Sequence, residues 1–230
     1  MAIDTNLQSS SAERQTSSFP PNTGQLPLDE QLTHFKAALQ QNTTLVRVLH
    51  LASTLDLPNW YVAAGAISQT IWNVVSGQPP ETGIADYDLV YFDGSDLSWE
   101  AEDAVIRRGE EVFAGVGTMV EIRNQARVHL WYEDKFGTPC PQHRSTEQAI
   151  GAWTSNTAMI GVRIENLGEV WRVYAPMGLS DMFNLVIRPN PLIATRDSYE
   201  KKIARWRKHW TQLTIHPWPE GTVDVPVKGE

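Results

Sequence analysis

The 230-residue sequence predicts an α+β fold, a mixed β-sheet flanked by helices, in one domain over residues 28–215. Three observations predict it: apolar residues at helical spacing alternate with short β-rich runs, one pair of runs has the pattern of a hairpin, and no internal repeat or boundary is visible. A chain of this length allows one to two domains and a core that needs no disulfide or structural metal. Cys140 is the sole cysteine, so an intrachain disulfide and a Cys-based zinc site are excluded.

Composition and charge exclude several classes of protein and partner. With 41% apolar and 20% charged residues, the chain is not collagen-like, coiled-coil or wholly disordered. Its net charge of −8 argues against a long nucleic acid as partner, because tight binding to a phosphate backbone needs a broad basic surface. No apolar run approaches the roughly 18 residues of a membrane span. The N-terminus lacks the basic and apolar regions of a secretory signal, so we expect no membrane association and a cytoplasmic location.

The first half of the chain begins with a polar arm and continues with helices. Residues 1–27 are rich in Ser, Thr, Gln, Asn and Pro, which predicts a disordered arm. Apolar spacing predicts helices over residues 28–41 and 44–55. Residues 61–75 then have the pattern of a turn leading into a third helix. Residues 86–93 are rich in β-formers and predict a strand.

The middle of the chain contains capping signals that mark helix starts. Ser98 is a favourable N-cap for a helix after the turn at residue 94. Residues 118–123 predict a second strand and residues 124–134 a helix. Ser145 and Gln148 have the spacing of a capping box, which predicts a further helix.

The last third of the chain starts with a hairpin. Residues 158–164 and 169–174 alternate between apolar and polar side chains around Asn-Leu-Gly, which predicts two paired strands. Residues 178–187 predict a short helix and residues 197–213 a final helix. Residues 216–230 contain three prolines and no apolar period, so we expect an extended tail.

The most informative segment is the strand Asp-Tyr-Asp-Leu-Val-Tyr-Phe-Asp. Because a strand alternates faces, Asp86 and Asp88 point to the same side, about 6.6 Å apart. Two such carboxylates repel each other unless a divalent ion or a proton offsets their charge. Mg²⁺ or Mn²⁺ suits carboxylate oxygens, usually together with substrate phosphates and water. The alternative is an edge strand with a solvated acidic face.

Two further features bear on this pair. Residues 63–70 form a small-residue turn at a helix start, where backbone N–H groups can bind phosphate; the alternative is a tightly packed helix start. Glu121 lies in the next β-rich run among apolar residues, so its carboxylate needs a partner. That partner is either Arg123 on the same strand face or a cation shared with the two aspartates.

Together these strings resemble a known family. The stretches AAGAISQTIWN, DYDLVYFD, DLSWEAED, VEIRNQARVHLWYE, VYAPMGLSDMFN and RPNP, within residues 60–218, resemble a nucleotidyltransferase-like family once classed as a domain of unknown function. That family belongs to the DNA polymerase β nucleotidyltransferase superfamily. The resemblance implies an enzyme that transfers a nucleoside monophosphate from a nucleoside triphosphate to an acceptor, with Mg²⁺ or Mn²⁺ as cofactor.

The resemblance also implies roles for single residues. Asp86, Asp88 and Glu121 would be the catalytic residues and metal ligands, with two ions serving the acceptor hydroxyl and the leaving pyrophosphate. The nucleotide-binding residues would be Gly65 and Ala66, through the backbone of the helix start, and Ser68, through its hydroxyl.

Arg127 is a further candidate for nucleotide binding through the phosphates, with a surface salt bridge as the alternative. The acidic balance favours a small molecule or a protein hydroxyl as acceptor over a long nucleic acid.

Two departures from the family pattern motivate an alternative function. Members usually have Gly followed by Gly or Ser at the helix start, whereas Ala66 follows Gly65 in this chain. The loop over residues 76–84 is longer than usual and could reshape the pocket. The alternative is a non-catalytic member of the same fold that senses nucleotides or binds a partner. A third hypothesis is metal-assisted hydrolysis of a phosphate ester, with water in place of the acceptor.

Overall fold

The computed structural model describes residues 19–168 and 170–221. These residues form eight α-helices and seven strands. The helices are α1 (Leu28–Leu39), α2 (Thr43–Ser53), α3 (Gly65–Val75), α4 (Trp99–Phe113), α5 (Tyr132–Phe136), α6 (Thr146–Ile150), α7 (Ser180–Phe183) and α8 (Arg196–Trp206). The strands are β1 (Tyr61–Ala63), β2 (Asp86–Tyr91), β3 (Met119–Asn124), β4 (Gly161–Glu165), β5 (Val170–Tyr174), β6 (Val186–Ile187) and β7 (Thr214–Ile215).

Five of the strands form one mixed sheet in the order β3-β2-β1-β4-β5. Strands β2 and β3 are parallel, with α4 as the crossover between them, and the other neighbouring pairs are antiparallel. Strands β6 and β7 form a separate parallel pair. The predicted α+β class with a mixed sheet and flanking helices is therefore confirmed.

The two faces of the sheet have different surroundings. On one face Val62, Leu89 and Ile122 belong to the main hydrophobic core, which the helices cover. The opposite face carries a smaller apolar cluster of Tyr61, Ala63, Val90 and Ile150. Because this second cluster is small, the neighbouring part of the same face is available to polar side chains.

Most of the predicted elements are present with small shifts of their ends. Ser98 caps α4 by accepting the N–H of Ala101, as its position predicted. Strands β4 and β5 form the predicted antiparallel hairpin around the 3₁₀ turn Asn166–Gly168. Residue 169, assigned to the second strand of that hairpin, lies outside the described residues.

The helix predicted over residues 124–134 is wrong. Strand β3 continues to Asn124, whose side chain accepts the N–H groups of Asp93 and Ala126 and so turns the chain. A 3₁₀ helix, Val128–Leu130, and the short helix α5 follow.

Two further helices are shorter than predicted. The final helix, α8, ends at Trp206 and not at residue 213. Residues 178–187 contain the four-residue helix α7 and then β6. Leu185, between them, has a left-handed φ of 58°, which ends the helical conformation.

The part of the predicted arm that the structure describes is packed against the domain. Residues 23 and 24 are buried in a 3₁₀ turn, and Phe19 stacks on Phe183 with ring centroids 5.8 Å apart. In the predicted tail, Trp218 contacts the ring of Tyr199 at 5.8 Å. Residues 1–18 and 222–230 lie outside the described residues. Across the described ranges, every helix is too short or too polar to cross a bilayer.

Candidate functional site

Strand register brings the predicted carboxylates together. Asp88 of β2 is paired directly with Glu121 of β3, and on its other side with Ala63 of β1. Neighbouring strands are about 4.8 Å apart and paired residues share a face, so the Asp88 and Glu121 side chains are neighbours. Asp86, two residues before Asp88, lies on the same face. The sheet thus gathers the three carboxylates beside the start of α3, which follows Ala63.

The crowding of these carboxylates changes the acidity of Asp88. Burial, together with the negative charges of Asp86 and Glu121, raises the pKa of Asp88 from 3.8 to about 7. Lys202 and Arg123 oppose this increase only in part. At neutral pH the Asp88 carboxyl is therefore close to half protonated, and a bound cation would favour its ionised form.

Glu121 has a protein partner in this structure. Its Oε1 forms an ion pair with Nη2 of Arg123 at 2.9 Å, and both side chains are about one-third exposed, at 35% and 37%. This pair is the alternative that the sequence left open. It neutralises Glu121 locally and keeps the carboxylate next to Asp88, on the rim of the site.

The oxygen ligands at this site suit a hard divalent cation, although the side chains do not fill its coordination shell by themselves. Within the described ranges, no group of three or more His, Cys, Asp or Glu side chains is arranged to hold a metal ion by itself. Mg²⁺ commonly takes only one or two carboxylates and completes its shell with substrate phosphates and water. Asp88 and Asp86, whose negative charge contributes to the raised pKa of Asp88, are a donor pair of that type.

Two of the three carboxylates, Asp88 and Glu121, line a cavity of ≈ 230 Å³. Its walls combine acidic, basic and aromatic side chains: Ala64, Asp88, Val90, Glu121, Arg123, Gln125, Val128, Trp131, Tyr132, Phe136, His143, Trp153, Thr154, Ile193, Ser198 and Lys202. Asp86, Gly65, Ala66, Ser68 and Arg127 do not line it. The site therefore has charged groups suited to phosphates and a metal ion next to surfaces suited to flat apolar groups.

The turn into α3 is strained at Ala64. This residue has φ 54° and ψ −126°, a conformation that glycine adopts readily and alanine does not. Its N–H donates to the carbonyl of Ile160 at 3.0 Å, which fixes the turn against the start of β4. Gly65 and Ala66 follow as the first residues of α3, where N–H groups have no intrahelical acceptor. Neither residue lines the cavity, and binding of an anion by their N–H groups stays a prediction.

Ser68 does not have the role that the sequence suggested for it. Its side chain is buried, at 1% exposure, and its hydroxyl lies 3.4 Å and 3.5 Å from the carbonyl oxygens of Gly65 and Ala64. The hydroxyl therefore faces the helix backbone and not the cavity. The prediction of a side-chain contact with the triphosphate is wrong for this geometry.

Arg127 is also held in a different environment from the predicted one. Its guanidinium forms a buried ion pair with Glu102 of α4 and donates from Nε to the carbonyl of Leu97 at 2.9 Å. The ring of Trp99 lies 5.6 Å from it. Glu102 also accepts the N–H of Asn124 at 2.8 Å. Arg127 therefore fixes α4 to the end of β3 and is not free to bind phosphate.

Lys202 is the functional candidate that the sequence reading missed. It lies on α8 and lines the cavity with Asp88, whose charge acts on it. Burial lowers the pKa of Lys202 below its usual value. In the part of the chain that the structure describes, its ammonium forms no hydrogen bond or ion pair. The available signal was its spacing, because residue 202 follows Tyr199 by three positions and precedes Trp206 by four, on the inward face of the helix.

The long loop over residues 76–84 lies away from the cavity. The side chain of Asn73 donates to the carbonyls of Pro80 and Thr82 at 2.9 Å and 2.8 Å and accepts from the indole of Trp210 at 2.8 Å. The loop is therefore fixed against α3 and the segment after α8. None of its residues is among those that line the cavity, so it does not reshape the site.

Comparisons with known proteins agree with this fold. A family model described as a nucleotidyltransferase matches residues 50–215, which is more than half of the chain. Among solved structures, a chain described as a CCA-adding enzyme head domain, determined by NMR, is similar with a TM-score of 0.66. The two are 22% identical over 81% of this chain and 96% of that chain, a likeness that establishes the fold alone. No curated protein matches the sequence.

Proposed function

This chain belongs to the nucleotidyltransferase family, and we propose that it transfers a nucleoside monophosphate from a nucleoside triphosphate to an acceptor hydroxyl in a metal-dependent reaction. One observation carries the proposal: the β2–β3 register puts Asp88 beside Glu121, with Asp86 on the same face, at the wall of a cavity. Three carboxylates are costly to gather unless positive charge offsets them, and Arg123 and Lys202 do so only in part.

Asp86 and Asp88 would hold the divalent ion, Mg²⁺ or Mn²⁺, and Glu121 would complete its surroundings. When bound, such an ion neutralises phosphate charge and makes an acceptor hydroxyl more nucleophilic. The chain's own contribution is to keep the carboxylates adjacent. The raised pKa of Asp88 means that its proton must leave before it can serve as a ligand, so cation binding is expected to strengthen as the pH rises through 7.

The triphosphate would lie between the start of α3 and Lys202. The backbone N–H groups of Gly65 and Ala66 offer neutral donors, and the ammonium of Lys202 offers a positive charge. Arg123 is already paired with Glu121, so Lys202 is the better candidate for phosphate. The acceptor oxygen would form a bond to the α-phosphorus, and the bond from that phosphorus to the bridging oxygen of pyrophosphate would break.

For the acceptor we propose a small molecule or a protein hydroxyl, because the net charge of −8 disfavours a long phosphate backbone. The solved neighbour is named as part of a CCA-adding enzyme, so a nucleic acid end is the second candidate. Product analysis separates transfer from hydrolysis, since only transfer leaves the nucleoside monophosphate on an acceptor.

Calorimetric titration with each of the four nucleoside triphosphates, with and without Mg²⁺, tests the donor site. We expect binding by the wild-type protein that requires Mg²⁺ and is lost in Asp88→Asn. Glu110→Gln, which removes an exposed charge on α4, is the control and should bind as the wild type does. Absence of binding by the wild type, or equal binding by Asp88→Asn, would contradict the proposed function.

A further inference from the structure

The cavity has an aromatic wall that the carboxylate chemistry does not use. Trp131, Tyr132 and Phe136 form a cluster in which the Tyr132 and Phe136 ring centroids are 4.6 Å apart and Trp131 is 6.2 Å and 6.4 Å from them. All three line the same cavity as Asp88 and Glu121. They lie in the segment that follows β3, where the predicted helix is replaced by a 3₁₀ turn and α5.

These rings are not simply part of the core. None of the three is fully buried, and Phe136 is 36% exposed. The ammonium of Lys135 lies 5.4 Å from both the Trp131 and Phe136 rings, and Lys135 lines a neighbouring recess, not this cavity. The cluster therefore has a charged neighbour on its other side and presents its aromatic surface to the cavity.

The carboxylates and this wall belong to the same cavity: Asp88 and Glu121 lie on the paired strands β2 and β3, and the rings lie in the segment after β3. A nucleoside triphosphate needs both kinds of surface, charged groups for its phosphates and a flat apolar surface for its base. Partly exposed aromatic side chains offer a stacking surface for a flat ring.

We propose that Trp131, Tyr132 and Phe136 form the subsite for the base of the nucleoside triphosphate, which stacks on this aromatic wall. The inference rests on the proposed function, because it takes the triphosphate to lie at Asp88 and Lys202. With this subsite, residues of this one chain would contact the metal ion, the phosphates and the base of the donor nucleotide. Stacking is tolerant of base identity because every base has a π-face.

The test compares two ligands that differ in the nucleoside. Affinities for ATP and for inorganic tripolyphosphate, both with Mg²⁺, are measured by calorimetry for the wild type and for Trp131→Leu. We expect the substitution to weaken the affinity for ATP about 10-fold and to change the affinity for tripolyphosphate less than about 2-fold. Trp131→Phe keeps an aromatic ring and should retain most of the ATP affinity.

Trp171→Leu is the matched control. Trp171 is half-buried and has the ammonium of Lys36 5.4 Å from its ring, as Trp131 has that of Lys135, but it lies on the edge strand β5. We expect wild-type affinity for both ligands. If Trp131→Leu does not fold by circular dichroism, Phe136→Ala takes its place, since Phe136 is the most exposed ring of the cluster.

The outcomes separate the two proposals. Binding of tripolyphosphate with no selective loss of ATP affinity in the cluster variants overturns the base subsite and leaves the donor site standing. Failure of both ligands to bind the wild type overturns the donor site and the base subsite with it. A selective loss of ATP affinity that the phenylalanine variant largely restores supports the inference.

Discussion

Replacing Asp88 by Asn is expected to stabilise the metal-free protein at pH 8, although it removes the central residue of the site. In the folded protein, burial and the charges of Asp86 and Glu121 raise the pKa of Asp88 to about 7, whereas the unfolded chain ionises near the ordinary value of 3.8. Between about pH 4 and pH 7 the folded state therefore binds a proton that the unfolded state has released. The free energy of unfolding therefore falls as the pH rises through this window. Above pH 7 the full destabilisation by the ionised Asp88 is present.

The size of this stabilisation follows from the difference between the folded and unfolded pKa values of Asp88. A pKa raised from 3.8 to about 7 corresponds to at most ~4 kcal/mol, because each pH unit is worth about 1.4 kcal/mol. Asp88 lies on a cavity wall that water reaches, so screening reduces this value. We expect Asp88→Asn to raise the free energy of unfolding by about 1–2 kcal/mol at pH 8, which is an increase in Tm of about 2–8 °C for a chain of this size.

Thermal unfolding in the presence of EDTA at pH 8 and at pH 5 measures this gain. Most of it should disappear at pH 5, since there the wild-type Asp88 is largely protonated in the folded state. Glu110→Gln, on the exposed side of α4, is the control and should change stability by less than about 0.5 kcal/mol at either pH. A lower Tm for Asp88→Asn at pH 8, or the same gain at both pH values, would refute the reasoning.

Three other substitutions test separate parts of the account. Lys202→Met should weaken Mg²⁺–ATP binding about 10-fold in calorimetry. The control Lys201→Met removes an exposed lysine that is paired with an aspartate at 2.8 Å, and it should bind Mg²⁺–ATP as the wild type does. Equal losses of affinity in the two variants would contradict the assignment of Lys202 to phosphate. Arg127→Met should lower the free energy of unfolding in urea by about 3–5 kcal/mol because it leaves Glu102 buried and unpaired; an unchanged midpoint would argue against the pair. Asn42→Ala should lower the free energy of unfolding by about 2–3 kcal/mol in the same assay, since this fully buried N-cap accepts the N–H of Leu45 and donates to the Thr70 hydroxyl. A loss below about 0.5 kcal/mol would show that these two hydrogen bonds are dispensable.

The parts of the fold that follow from local patterns could be predicted from the sequence. The alternation in β2 placed Asp86 and Asp88 on one face without knowledge of any neighbour. The hairpin β4–β5 and the N-cap Ser98 are also local signals, carried by residues close in the chain. Placing Glu121 beside Asp88 depends on the parallel register of β2 and β3, which is set across the α4 crossover. From the residues alone Glu121 had two alternative partners, Arg123 or a cation shared with the two aspartates, and the family resemblance implied the second.

The errors come from contacts between distant segments. The pattern of residues 124–134 suits a helix, but Asn124 bonds to Asp93 and Arg127 pairs with Glu102, and these partners lie 31 and 25 residues away. Such contacts override local propensity and cannot be read from spacing. Lys202 was missed for a different reason. Its helical position was visible, but only the structure shows that the inward face of α8 meets Asp88.

Transfer of labelled nucleotide to an acceptor is the direct test of the proposed reaction. The protein is incubated with Mg²⁺, a nucleoside triphosphate labelled at the α-phosphate, and a pool of small hydroxyl compounds and hydroxyl-bearing proteins. Pyrophosphate and the labelled products are then quantified for the wild type and for Asp88→Asn. We expect pyrophosphate release matched by label on an acceptor, and loss of both in the variant. Label found only as free nucleoside monophosphate, or transfer that Asp88→Asn retains, would contradict it.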